Sequence, residues 1–164
     1  MDAVQAIKSR VSIRKYQDRP VPREILQEIA DCGRMAPCGY NRQDWIFVVV
    51  TAPELRSQIA QAARYGRFIR EAGACFAVFC KKGAETLVED ACAATENMII
   101  AAQSYHLGSC WVNSHRKDHS AAVQRLLACP PDYKLITLLA VGYPDESGTT
   151  PKKPLSEVMR WNSF

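Results

Sequence analysis

The sequence predicts a three-layer α+β domain in which helices flank a mixed sheet of four or five strands. Three observations predict it. Four short apolar runs alternate with segments of helical periodicity, and the segment from Ala84 to Tyr105 is apolar nearly all round in its second half. No repeat, linker or low-complexity tract divides the 164 residues. Residues 1–164 therefore read as a single domain, with a C-terminal arm at about 151–164.

Taken in order, Asp2 to Lys8 carries Val4 and Ile7 at helical spacing, and Pro22 opens a second helix through Ile25, Leu26 and Ile29. Gly33 and Pro37 bracket its end. The run Ile46 to Val50 is β-branched and apolar at consecutive positions, as expected of a strand covered on both faces. Pro53 begins a third helix reaching about Ala63, and Cys75 to Cys80 is a second buried strand. The long helix from Ala84 to Tyr105 places Leu87, Cys92, Met98, Ile99 and Ala102 inside, and Gly108 follows its end. A strand at Cys110–Val112, a helix from Ser120 to Ala128, a strand from Lys134 to Gly142 and a short helix or arm from Leu155 to Trp161 complete the chain.

With 48% hydrophobic and 23% charged residues, the composition is that of a soluble globular protein, not a disordered one. The charge of +4 comes from basic residues spread along the chain, which excludes a nucleic-acid tract. Local basic clusters matter more: Arg10/Arg14/Lys15, Arg64/Arg67/Arg70, His115–Lys117 and Lys152/Lys153 suit a small anionic ligand. Seven cysteines without a CxxC pair, and no secretory signal ahead of Val4, fit reduced thiols in the cytoplasm. The apolar runs are too short to span a bilayer. His115 and His119 sit four apart, but no third ligand is evident and no metal site is expected.

Two segments hold candidate binding residues. In an extended chain Arg10, Ser12 and Arg14 share one face, so two guanidinium groups and a hydroxyl can meet one anion; a solvated basic turn is the alternative. The loop from Ala36 to Trp45 runs into a strand, where ligands are commonly read. Its Asn41 and Gln43 suit either an amide-rich heterocycle or the loop's own backbone.

The segments SRVSIRKYQDRPV, APCGYNRQDWIFVVV, HLGSCWVN and VGYPDE with PKKPLSEVM, in this order, resemble the nitroreductase family of FMN enzymes. The resemblance runs nearly end to end and implies a homodimer with FMN between subunits and the long helix at their interface. It places Arg10, Val11, Ser12 and Arg14 on the flavin, the arginines serving its phosphate and pyrimidine edge. It brings Pro37, Cys38, Gly39 and Asn41 to the flavin from the other subunit. It sets Trp111, Val112 and Asn113 beside the reactive N5 edge, and Lys152 or Lys153 on the phosphate.

The chain departs from the family pattern at four places: Val11 where a basic residue is frequent, Cys38 for serine, Asp44 for proline and Asn113 for glycine. It also lacks a helical excursion that covers the ring in many relatives, which implies an open site, with Arg67 a substitute at the pyrimidine edge. The implied activity is hydride transfer from NADH or NADPH through flavin N5 to a nitroaromatic, quinone or similar acceptor, in ping-pong order and without a side-chain nucleophile. Two other readings stay open: a non-catalytic dimeric flavin-binding or small-molecule-binding protein, and a hydrolase or transferase using Cys38 or Cys110 with His106, His115 or His119.

Overall fold

A computed structural model describes residues 1–164. Its helices are α1 (Ala3–Ser9), α2 (Arg23–Arg34), α3 (Pro53–Ala62), α4 (Leu87–Ser104), α5 (Ser120–Leu126) and α6 (Leu155–Val158). Its strands are β1 (Trp45–Val50), β2 (Ala74–Lys81), β3 (Gly108–Asn113) and β4 (Tyr133–Gly142). Two tight helical turns, Gly39–Asn41 and Arg67–Arg70, were not legible in the hydrophobic pattern because neither spans enough residues to show a period.

The four expected strands form one sheet in the order β1-β2-β4-β3. The mixed pairing expected from the sequence needs correction, because every strand pair is antiparallel. The one parallel element is an isolated bridge between Ser12 and Ser109 at the outer edge of β3. β1 also differs from expectation: Ile46 is 43% exposed and Val49 38%, because the sheet ends there and its faces are only partly covered.

Alternation along β2 builds the two cores. Cys75, Ala77 and Phe79 meet Ile59, Ala60 and Val123 of α3 and α5, whereas Phe76 and Val78 meet Leu26, Ile29, Met98 and Ala102 of α2 and α4. β4 keeps the same division only by means of a bulge opposite Val78/Phe79, which places the consecutive Ile136 and Thr137 toward α4. The hydroxyl of Thr137 is then 2.8 Å from that of Thr95, which itself donates to Ala91 O at 2.7 Å, so both buried hydroxyls are satisfied. No helix is long and apolar enough to cross a membrane.

Candidate functional site

The site begins where α1 stops. Arg10 caps α1 in an extended conformation, its N–H donating to Ala6 O, and the chain continues extended along β3. Ile13 N–H donates to Ser109 O at 2.9 Å. Gly108 makes this approach possible, since a Cβ there would lie 2.8 Å from Ile13 carbons. Val11 and Ile13 pack into the α3/α5 core, so alternation turns Arg10, Ser12 and Arg14 to the opposite face.

Ser12 bridges to Ser109 on β3, and Arg14 lines a cleft with Cys110. Burial pushes the Cys110 thiol up from its ordinary pKa, against an opposing pull from Arg14 and the neighbouring Ser12 and Arg10. The Arg14 backbone is pinned from the other side by Glu146, whose Oε1 accepts its N–H at 2.5 Å and that of Lys15 at 3.2 Å. Those bonds, with the neighbouring cations, hold the Glu146 carboxyl below its ordinary pKa despite some desolvation.

Beside Arg14 opens a cleft of about 510 Å³ containing Tyr65, Phe68, Trp111, Asn113 and Arg64. The Arg14 guanidinium lies 5.9 Å from the centre of the Phe68 ring. Because the Ser109 carbonyl points outward to Ile13, the backbone groups of Trp111 and Asn113 point to the same open edge of β3. The cleft therefore offers aromatic surface, two guanidinium groups and outward backbone groups together. Its aromatic and cationic lining suits a flat heterocycle with an anionic tail.

The loop expected from Pro37 to Gln43 lies elsewhere. Gly39 N–H donates to the buried Asp90 Oδ1 at 3.0 Å, and Thr86 Oγ1 donates to Asp90 Oδ2 at 2.9 Å, which ties the loop to the start of α4. A Cβ on Gly39 would clash with the Thr86 side chain, which would have to shift and give up its place beside Asp90. Tyr40, Asn41 and Gln43 have φ of 53°, 55° and 54°. Gln43 bonds inside the loop, its N–H to Cys38 Sγ at 3.3 Å and its Nε2 to Asn41 Oδ1 at 3.3 Å. Arg10 is at the opposite end of α4, where Gln103 Nε2 donates to Ser9 Oγ at 3.1 Å.

Within one chain, then, Arg14, Trp111, Val112 and Asn113 line one cleft, with Arg10 and Ser12 on the adjoining N-terminal segment, and Pro37, Cys38, Gly39, Asn41 and Gln43 do not join them. Lys152 and Lys153 are exposed on the arm and make no hydrogen bond or ion pair with the group. Arg67 lines a different recess with Arg70 and Gln61, and Arg64 occupies the cleft in its stead. Val11 contributes its side chain to the core. The cysteine–histidine alternative finds no pair: His119 Nε2 is 3.0 Å from Ser114 Oγ, and no histidine bonds Cys38 or Cys110.

Sequence reasoning missed Asp90, Glu146, Tyr65 and Phe68. A carboxylate in the first turn of so apolar a helix was a visible signal for Asp90, since a buried charge requires partners. Glu146 closes the VGYPDE segment but bonds across 132 residues, a separation no local pattern reveals.

The profile of the nitroreductase family matches residues 7–81 and 64–143. A protein of Methanothermobacter thermautotrophicus, named for NADH dehydrogenase and NAD(P)H nitroreductase activity, is 33% identical over 155 residues, covering 92% of this chain and 81% of its own. A Parabacteroides distasonis structure of the same naming superposes with a TM-score of 0.93 at 27% identity, over 99% of this chain and 98% of that one. A Desulfovibrio desulfuricans structure, described as a nitroreductase in complex with FMN, gives a TM-score of 0.89 at 30% identity, over 100% and 98%. Matched along nearly its whole length in sequence and in fold, the chain belongs to the nitroreductase family.

Proposed function

We propose that the chain is an FMN-dependent oxidoreductase that moves hydride from NADH or NADPH to a nitroaromatic, quinone or similar acceptor. The observation that carries the reading is the aromatic cleft on the open edge of β3, which Arg14 lines with Phe68 and Trp111 and which Arg10 and Ser12 precede on the same segment. When bound, FMN supplies the hydride chemistry. Arg10 and Ser12 hold its phosphate by charge-assisted hydrogen bonds, and Arg14 presents a fixed cation to the pyrimidine edge of its ring. The outward backbone groups of Trp111 and Asn113 line the N5 side, and Val112 anchors that stretch in the core. Donor and acceptor enter the same open cleft in turn, which gives ping-pong order. No acid–base pair is needed, since positioning against the cleft's aromatic floor supplies the acceleration.

The reading includes a homodimer. α4 has 18 residues, about 27 Å at 1.5 Å each, and separates the Cys38–Gln43 loop from the Arg10 group. A two-fold partner with α4 antiparallel to α4 would bring each loop to the other chain's basic segment, completing two equivalent sites. In that arrangement Lys152 and Lys153, on an arm exposed from residue 147 onward, also become available to a flavin phosphate. Support for FMN itself comes from the relatives named above.

Fluorescence titration with FMN tests the proposal. Wild type should bind and quench the flavin, and Arg10→Ala should weaken binding about tenfold or more, the worth of a charge-assisted contact. Equal affinity in the two proteins would remove Arg10 from the site.

A further inference from the structure

A second cationic cleft, of about 930 Å³, opens between the start of α4 and α5. Lys82, Arg116, Lys117 and Lys134 line it against Glu85 and Glu89, an excess of two positive charges. None of the six takes part in an ion pair; the molecule's three ion pairs, Arg34–Asp31, Arg42–Asp44 and Arg70–Glu71, lie elsewhere. Lys82 donates to Pro131 O at 2.6 Å, which fixes the ammonium and leaves its other protons free.

The cleft also holds unmet hydrogen-bonding capacity. Three buried side-chain polar atoms in the molecule have no partner, and two of them, His115 Nδ1 and Ser120 Oγ, belong to residues lining this cleft. Ser120 is 8% exposed. An orphaned buried polar group is costly, a loss that a rearrangement on binding can recover. Burial, then Lys134 and Arg116, hold the His115 imidazole below its ordinary pKa, so the local field already favours an anion over a further cation.

We propose that this cleft binds a phosphomonoester, with Lys82, Arg116 and Lys134 neutralising it and the Ser120 and His115 side chains turning from the buried wall to supply directional hydrogen bonds. Lys117 lines both this cleft and the one beside Arg14, so the two are neighbours on one surface. The phosphomonoester has two possible sources. One is the extra phosphate that distinguishes NADPH from NADH, which rests on the function proposed above; the other is free phosphate, which does not.

Calorimetric titration of the full chain with FMN added separates them, using NADP+, NAD+ and inorganic phosphate as probes. If the dinucleotide is the source, NADP+ binds more tightly than NAD+, and Lys134→Ala and Arg116→Ala each remove about tenfold of that preference. Arg34→Ala, on the distant α2, keeps it. If the source is free phosphate, NADP+ and NAD+ bind alike, while inorganic phosphate gives saturable heat that the same two variants weaken. Binding of all three probes unchanged in both cleft variants, or weakened equally by Arg34→Ala, overturns the proposal. Flavin absorbance recorded on the same samples isolates the other question: phosphate binding without retained FMN would uphold the cleft and refute the flavin reading.

Discussion

At the scale of single residues, the basic segment divides its labour by backbone alternation. Val11 and Ile13 anchor it in the core, and Arg14 is left lining the aromatic cleft with Cys110. Arg14 is the residue held most firmly, since Glu146 grips its backbone while its guanidinium lies near Phe68. A cation fixed beside a ring that gains negative charge on reduction favours the reduced state. Arg14→Ala should therefore lower the midpoint potential of bound flavin by roughly 20–40 mV, the equivalent of about 1–2 kcal/mol for a two-electron couple. Spectroelectrochemical titration measures it, and an unchanged or higher potential would contradict the role. The alternation was legible in the sequence, because period two needs only consecutive residues. Glu146 was not, because its bond to Arg14 depends on how β4 returns to the N-terminal segment.

At the scale of elements, burial decides which sequence signals were reliable. β2 is buried from Ala74 to Cys80 and matches its sequence reading, whereas β1 looks equally apolar in sequence yet ends the sheet half open. An apolar run reports the capacity to be buried, and its place in the sheet decides whether it is. The mixed sheet failed for a related reason: helices between strands suggest crossovers, but here every neighbouring pair runs antiparallel, including sequence-distant β2 and β4. The buried strand also has a pH signature. Burial pushes the Cys75 thiol from 9.0 up to about 12, outweighing a backbone hydrogen bond and Arg56. The folded state thus favours the neutral thiol, so its stabilisation is complete below about pH 9 and is lost as pH rises toward 12. Denaturation midpoints across this range should fall less steeply in Cys75→Ala than in wild type. Parallel curves would show that the thiol does not contribute.

At the scale of the whole molecule, the basic segment and the Pro37–Gln43 loop lie at opposite ends of α4, and the C-terminal arm is exposed throughout. Leu155, Val158, Trp161 and Phe164 are all exposed, and so are Val4 and Ile7 on α1. The proposed dimer would cover this apolar surface. Light scattering should give a dimer mass, and a chain ending after Gly148 should shift toward monomer and lose FMN affinity together. A monomer that retains its flavin would separate cofactor binding from assembly. The distance between the Pro37–Gln43 loop and Arg10 within one chain was not legible in residue pattern, since it is set by the length of α4 between them. The central claim is that this site passes hydride through a bound flavin. Anaerobic mixing of FMN-loaded protein with NADH or NADPH tests it most directly: the visible band of oxidised flavin should bleach with at least one donor and return when a quinone is added. Bound FMN that neither donor bleaches would contradict the account and leave a flavin-binding protein without turnover.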